Sequence, residues 1–506
     1  MEKKIQSALI SVFHKEGLEP LVRTLHEQGV TIYTTGGTQS FIEALGLPCM
    51  PVEDVTGYPP ILGGRVKTLH PRIFGGILGR RDLEEDVREM HQYEIPTIDM
   101  VIVDLYPFEQ TVASTTDAKA IIEKIDIGGP SMIRAAAKNH ADILVVAARA
   151  DYAEVAEWLS RQKGHTSLDQ RRQYAAKAFA IVAHYDAVIS QYFGDSGQPR
   201  FLASIPQGRP LRYGENPHQS GVFYGSLESH FEQLNGKELS YNNLIDASSV
   251  LELMKDLHHH QEAIFAIVKH TNVCGLAVRN SLQEAWAAAL AGDPESAFGG
   301  VIACNRPVDG PTAQAISDIF FEVLIAPGFH EEALPILAAK KNRILLRQKA
   351  PLQTGKTFRT LLGGVLEQEA DAGSAEKWEE TGGRHSSETE KSNLAFANIV
   401  CKHLKSNAIA LVKDMRLIGK GCGQTSRIDA LRHALEKARQ CGADARGAVL
   451  ASDAFFPFDD CVRMSYEAGI QAFIQPGGSI RDKDSIAFCQ QQELAMVITG
   501  MRHFRH

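Results

Sequence analysis

A lysine directly followed by a histidine closes the apolar run Ala263 to Val268, and Gly275 ends the turn behind it. Lys269 brings a cation and His270 a group that can carry a proton near neutral pH, so the pair is a candidate for proton-transfer chemistry. Successive side chains on a regular strand point to opposite faces. The two reach one site only if the backbone leaves extended geometry there, and a solvated strand end is the competing reading. Upstream, Leu211-Arg-Tyr-Gly-Glu-Asn-Pro-His-Gln219 packs charges, an amide, a ring and a proline into nine residues, too polar for a core element. Further polar clusters lie at Lys405-Ser-Asn407, Gly421 to Arg427, Ser452 to Phe458 and Gln475 to Arg481.

A second set of groups lies in the first third of the chain. Tyr33-Thr-Thr-Gly-Gly-Thr38 stands where a strand hands over to a helix, a place where backbone N–H groups, hydroxyls and a positive helix end converge on a phosphate. Ser11 and Lys15, after the first apolar run, add a hydroxyl and a charge. Arg65 and Lys67 sit in the glycine-flanked segment Gly63 to Pro71, and Asp126 precedes a glycine turn with Arg134 and Lys138 one helical turn apart beyond it. Each alone also reads as an ordinary turn or a solvated basic face.

Familiar alternatives fall away. Gly355-Lys-Thr357 lacks the earlier glycine of a phosphate-binding P-loop, Gly419 to Gly423 has Gln424 where a dinucleotide fingerprint ends in glycine, and no P-C-x-x-C completes a zinc deaminase site. The triple histidine His258 to His260 has no partner cluster, so no metal is expected. The eight cysteines form no C-x-x-C pair, which fits reduced thiols in the cytosol. A net charge of -8 disfavours a nucleic-acid polymer as partner, and no apolar stretch has the length of a membrane span.

These groups need elements to position them. With 506 residues, the chain exceeds one core, so at least two domains are expected. Leu18, Leu21, Val22 and Leu25 predict a helix ended by Gly29; a strand over Val30 to Thr34 follows, then a helix capped by Thr38 and running to Leu45 before Gly46. Apolar runs at Met100 to Val103 and Ile143 to Ala147 complete the pattern of a doubly wound, mostly parallel sheet. A helix over Asp169 to Phe193 stops at the breakers Gly194 to Pro199, which places the boundary between a domain of residues 1–198 and one of 199–506. Beyond it, strands at Ala263 to Val268, Val301 to Cys304, Ala448 to Ala451 and Ala495 to Thr499 alternate with helices. Residues 367–392 read as a polar connection that divides this half into two lobes, and no internal sequence repeat is evident.

In this order and together, the motifs from Ser11 to His506 closely resemble the family of bifunctional purine enzymes that combine AICAR transformylase with IMP cyclohydrolase. The resemblance implies an α/β fold class, with an N-terminal methylglyoxal-synthase-like domain for the cyclohydrolase and two cytidine-deaminase-like lobes for the transformylase. By it, Ser11, Lys15, Thr35, Gly37 and Thr38 hold the nucleotide phosphate of the cyclisation site and Arg65 supports the substrate. Lys67 and Tyr106 stabilise the oxyanion, while Asp126 and Lys138 move protons. Lys269 and His270 carry formyl transfer from the co-substrate 10-formyltetrahydrofolate, and Arg212, Tyr213, Asn242, Asn407, Phe456 and Arg502 match positions that contact nucleotide or folate. AICAR and formyl-AICAR are the implied ligands, a homodimer the implied assembly and the cytoplasm the implied location. Two departures are His14, where many relatives have Asp, and Asp104, where Asn is usual; Gly300 stands where animal members carry an aspartate. The competing readings are a non-catalytic nucleotide-binding regulator and, for the first domain alone, a methylglyoxal-synthase-like lyase.

Overall fold

The computed structural model describes residues 2–194, 197, 200–352 and 355–506. It divides into two compact units, Met1–Pro206 and Gln207–His506. The boundary expected between residues 198 and 199 falls outside the described residues. Among the described residues no helix is long and apolar enough to cross a membrane.

The first unit is built on five parallel strands, in spatial order Met50–Pro51, Thr31–Thr34, Ser7–Ser11, Met100–Val103 and Leu144–Val146. Both faces are covered, which is why the central strands are apolar throughout instead of alternating. Ala8, Ile10, Ile32 and Met100 pack with helices Glu19–Glu27 and Tyr152–Arg161 on one face. Leu9, Val101, Val103 and Val145 pack with Pro71–Leu78, Gly128–Lys138 and Leu168–Phe193 on the other. The strand order reverses at Ser7–Ser11, whose neighbours lead to opposite edges. In open α/β sheets ligands bind outside the carboxyl ends of the strands at such a switch point.

One local expectation is corrected. The second helix spans Gly36–Ala44 with Thr35 at its N-cap, so Thr38 lies inside the first turn and does not cap it. Gly36, with φ of 32°, lets the chain turn into the helix earlier than a side chain would allow. The Thr38 hydroxyl is then spent on Val12, accepting its N–H and donating to its carbonyl at 3.1 Å each.

The second unit carries a twelve-stranded mixed sheet. Its element order occurs twice. Helix Tyr241–Asp256 precedes the hairpin Ala263–Lys269 and Asn272–Arg279, then strands Val301–Cys304, Val323–Ala326 and Ile344–Gln348 alternate with helices. Helix Glu388–Lys402 likewise precedes the hairpin Ile409–Lys413 and Arg416–Gly421, then Val449–Ser452, Ala472–Gln475 and Ala495–Ile498. Each half has its strands in the spatial order second, first, third, fourth, fifth, and the halves meet at the second strands through the pair Ala277 and Arg416. The repeat lies in the topology, where sequence similarity does not reveal it.

Residues 367–392 are not a plain connection. They include the end of an exposed hairpin, Lys356–Leu361 with Gly364–Glu369, the edge strand Glu379–Glu380 and the start of helix Glu388–Lys402. An edge strand needs a ladder on one side only, so a polar sequence can form it without an apolar signature.

Candidate functional site

At the switch point of the first unit, the chain leaving Ser7–Ser11 meets the turn leaving Thr31–Thr34. Ser11 Oγ and Thr35 Oγ1 lie 2.8 Å apart. Lys15 folds back so that its Nζ donates to the Val12 and Phe13 carbonyls at 2.6 and 2.9 Å. It stands over Gly37, where an added Cβ would lie 3.9 Å from the ammonium. Two hydroxyls, an ammonium and the N-terminus of a nine-residue helix thus converge, a donor set suited to a phosphate.

Next to it lies a cluster of charged and phenolic groups. Burial lowers the Lys15 pKa, with Asp104 opposing and Lys67 adding to the effect. Burial raises the Tyr106 pKa, reinforced by Asp126 and Asp104. Burial also raises the Asp126 pKa; its hydrogen bond from the Gly129 N–H, at 2.8 Å, and the charge of Lys67 offset this only in part. A side chain at Gly129 would collide with that carboxylate, since an added Cβ would lie 2.4 Å from Asp126 Oδ2. The Tyr185 hydroxyl fixes the loop, accepting the Asp126 N–H at 2.8 Å and donating to the Lys124 carbonyl at 2.7 Å. Ser11, Lys15, Thr35, Gly37, Thr38, Lys67, Tyr106 and Asp126 are therefore brought to one end of one sheet.

Two expected members are exposed. Lys138 is exposed in the last turn of helix Gly128–Lys138, and at 1.5 Å per residue that places it about 15 Å along the axis from the end that Asp126 occupies. Arg65 is exposed and paired with Glu123. A cation not anticipated from the sequence, Lys124, lies 5.1 Å from the Phe13 ring centroid and 5.8 Å from that of Tyr106. Its place two residues before Asp126 was the only available signal.

In the second unit, Lys269 ends its strand and His270 opens the hairpin turn. His270 and Thr271 have φ of 49° and 61°, both left-handed and neither glycine. Such residues cost about 1–3 kcal/mol each. The backbone thus leaves extended geometry at the pair, the condition under which neighbouring side chains can share one site. Lys269 Nζ donates to the Phe298 carbonyl at 2.7 Å. Asp246, on helix Tyr241–Asp256, accepts the His270 and Thr271 N–H groups at 3.2 and 2.7 Å. One turn earlier on the same helix, Asn242 donates to the Glu215 carbonyl at 3.2 Å, which ties in the loop carrying Arg212 and Tyr213. That arginine stacks on its neighbour with the guanidinium 4.8 Å from the ring centroid.

The turn also touches the other half, because the Cys422 thiol donates to Asn272 Oδ1 at 3.2 Å. Beyond it, Asn407 donates to the Gln424 carbonyl at 2.9 Å, and the buried pair Arg427 and Asp453 meets at 2.7 Å. Arg502 is exposed and stacks on Phe504 at 4.2 Å. Phe456 is a correction: its ring is fully buried in the core of this half with Ile409, Leu411 and Phe473, and its N–H is held by Gln475. The exposed ring of that segment is Phe458, which stacks on Arg481 at 4.8 Å. A cavity of about 1160 Å³ lined by Asp256, Lys402, His403 and Arg505 contains none of the expected site residues.

Comparison with known proteins identifies the family. The family model described as AICARFT/IMPCHase bienzyme matches residues 136–437, and that of the MGS-like domain matches residues 17–131. The bifunctional purine biosynthesis protein PurH of Bacteroides thetaiotaomicron is 52% identical over 506 residues, covering 100% of this chain and 99% of its own. The proteins of the same name from Chloroflexus aurantiacus and Parvibaculum lavamentivorans are each 46% identical, covering 100% of this chain and 99% and 98% of their own. A match that spans both units at this identity leaves one assignment: the chain belongs to the AICARFT/IMPCHase bienzyme family.

Proposed function

We propose that the two reactions joined in this family are divided between the two units. The enzyme formylates AICAR and closes the product to IMP; ring closure belongs to the first unit and formyl transfer to the second. What supports the division is that each unit gathers its own candidates for anion binding and proton transfer, around Asp126 in one and His270 in the other.

In ring closure, the carboxamide nitrogen of formyl-AICAR attacks the formamide carbon, and the carbonyl oxygen becomes an oxyanion that later leaves as water. Lys67 and the Tyr106 hydroxyl meet the oxyanion, and Asp126 takes the proton from the attacking nitrogen and returns it to the oxygen; the formamide N–H gives up the second proton of the departing water as the ring C=N bond forms. Burial supports that role, because it raises Asp126 toward the range where it can both accept and release a proton. Ser11, Lys15, Thr35, Gly37 and Thr38 hold the phosphate. Lys138 is left out because its helix carries it away from this group.

In formyl transfer, the ring amine of AICAR attacks the formyl carbon of 10-formyltetrahydrofolate, and the C–N bond to the folate breaks. His270 accepts the amine proton, Lys269 stabilises the oxyanion, and the folate nitrogen leaves protonated. Arg212, Tyr213, Asn242, Asn407 and Arg502 contact the ligands. A homodimer through this unit belongs to the same reading. Exposed Phe298 and Phe320, with ring centroids 5.3 Å apart, offer an apolar surface beside Lys269. A cytoplasmic location suits the eight unpaired cysteines.

The test uses the full chain with AICAR and 10-formyltetrahydrofolate, following IMP. Lys67→Ala should accumulate formyl-AICAR; His270→Ala should leave AICAR unconverted yet cyclise supplied formyl-AICAR. Loss of both reactions in either folded variant would refute the division.

A further inference from the structure

We propose that Asp246 is a positioning residue for formyl transfer, its carboxylate clamping the left-handed turn that directs Lys269 and His270 to one site. The proposal rests on the reading of that pair given above.

The turn needs outside support. His270 and Thr271 occupy a backbone region that glycine favours, and Thr271 is β-branched. The two oxygens of Asp246 take the two successive amides, Oδ2 the His270 N–H at 3.2 Å and Oδ1 the Thr271 N–H at 2.7 Å. An ionised acceptor makes stronger hydrogen bonds to backbone N–H groups than a neutral one. Asn272 closes the turn from the other side, donating to the His270 carbonyl at 2.9 Å.

The other half of the sheet repeats the device with one difference. Ser240 caps helix Tyr241–Asp256, and Asp246 lies six residues beyond the cap. Ser387 caps helix Glu388–Lys402, and Asn393 lies six residues beyond that cap. Asn393 Oδ1 accepts the Met415 N–H at 2.7 Å, in a turn where Asp414 and Met415 both have φ of 52°. Lys413 and Asp414 there occupy the places of Lys269 and His270, with Lys413 turned to the Arg446 carbonyl at 2.8 Å. A neutral amide on one N–H is thus enough to fold this turn. The half that carries the lysine–histidine pair has a carboxylate on two. That surplus points to orientation of the pair, beyond folding of the hairpin.

The test measures kcat and the AICAR KM of formyl transfer in the full chain carrying Asp246→Ala, Asp246→Asn or His270→Ala, with cyclisation of supplied formyl-AICAR and the melting profile alongside. Displacing a reacting group by about 1 Å can cost about 10²-fold, so Asp246→Ala should lose about that much in kcat with little change in KM. Asp246→Asn keeps one accepting oxygen, as Asn393 does, and should lose about tenfold on the same scale. Cyclisation should be unchanged in both. Asn393→Ala should lower the melting midpoint while kcat stays at the parental value. If either folded Asp246 variant keeps parental kcat while His270→Ala loses formyl transfer, the clamp is refuted and the reading of His270 stands. If His270→Ala itself keeps formyl transfer, the underlying reading falls. Should Asp246→Ala not fold, Asp246→Asn decides alone.

Discussion

The Nδ1 of His14 lies 2.9 Å from a carboxylate oxygen of Asp104, and that carboxylate also receives the backbone N–H groups of Phe13 and His14. These are two of the three positions that the sequence reading marks as departures from the family pattern, where Asp and Asn are the expected residues. They touch, so an exchange of the acid between the two positions would act through one contact. Asp104 in turn acts on Lys15, Tyr106 and Asp126.

The exchange predicts a non-additive cycle. His14→Asp alone sets two carboxylates against each other and should weaken cyclisation and lower stability, as contacting residues couple by about 0.5–3 kcal/mol. Adding Asp104→Asn should recover most of both losses. Additive single and double effects in melting and cyclisation assays would show that the two sites do not communicate.

Asp126 should trade stability for chemistry. Its carboxyl is pushed up by burial, so the protonated form suits the fold. The stability this group contributes is therefore fully present below the ordinary Asp pKa and is lost as pH rises through the raised value. Asp126→Asn should abolish cyclisation while melting at pH 7 no lower than the parent, with that advantage disappearing in acid. A clear drop in melting temperature at pH 7 would contradict this.

Asp293 should behave in the opposite sense. Burial alone would raise it, but Lys420, the Ser296 side chain and Lys437 outweigh burial and hold it at about 2. Its stabilisation is present above the ordinary Asp pKa and is lost as pH falls through about 2. A depression of this size corresponds to about 2 kcal/mol, so Asp293→Asn should lose about that much in denaturant melts at pH 7. An unchanged midpoint would show that the two lysines contribute nothing net.

Phe456 and Phe458 should separate core from surface. Phe456→Ala empties a fully buried site and should cost about 3–5 kcal/mol. Phe458→Ala, at an exposed ring, should change stability by about 0.5 kcal/mol or less. Denaturant melts of the two variants decide the assignment.

What the sequence made legible follows from how local the signal is. Met100–Val103 and Val301–Cys304 have the expected bounds because a strand buried on both faces is an unbroken apolar run. Ser11, Lys15 and the Thr35 to Thr38 turn were legible because a strand-to-helix turn is a short-range pattern. Lys138 was not, since helical spacing fixes the face of a residue but not which end of the helix the site occupies. In Phe455, Phe456 and Phe458, nothing in a run of similar rings says which one turns inward. Asp246 lies 24 residues from the amide of His270 that it holds, a pairing that exists only once the helix packs on the hairpin.

The seam of the twelve-stranded sheet bears on how the second unit comes apart. The ladder joining its halves is thin, one residue pair at Ala277 and Arg416 with Val278 N–H on the Met415 carbonyl at 3.0 Å. A hydrogen bond contributes about 1 kcal/mol net, which would let two foldons open separately. Yet Val250, Leu253, Val273 and Leu276 from one half share a single buried cluster with Val400 and Leu417 from the other, and each such side chain contributes about 1.5–3 kcal/mol. Greasy cohesion therefore runs across the seam as well as within each half, and the halves should denature cooperatively, in one transition, though their backbones are barely stitched together.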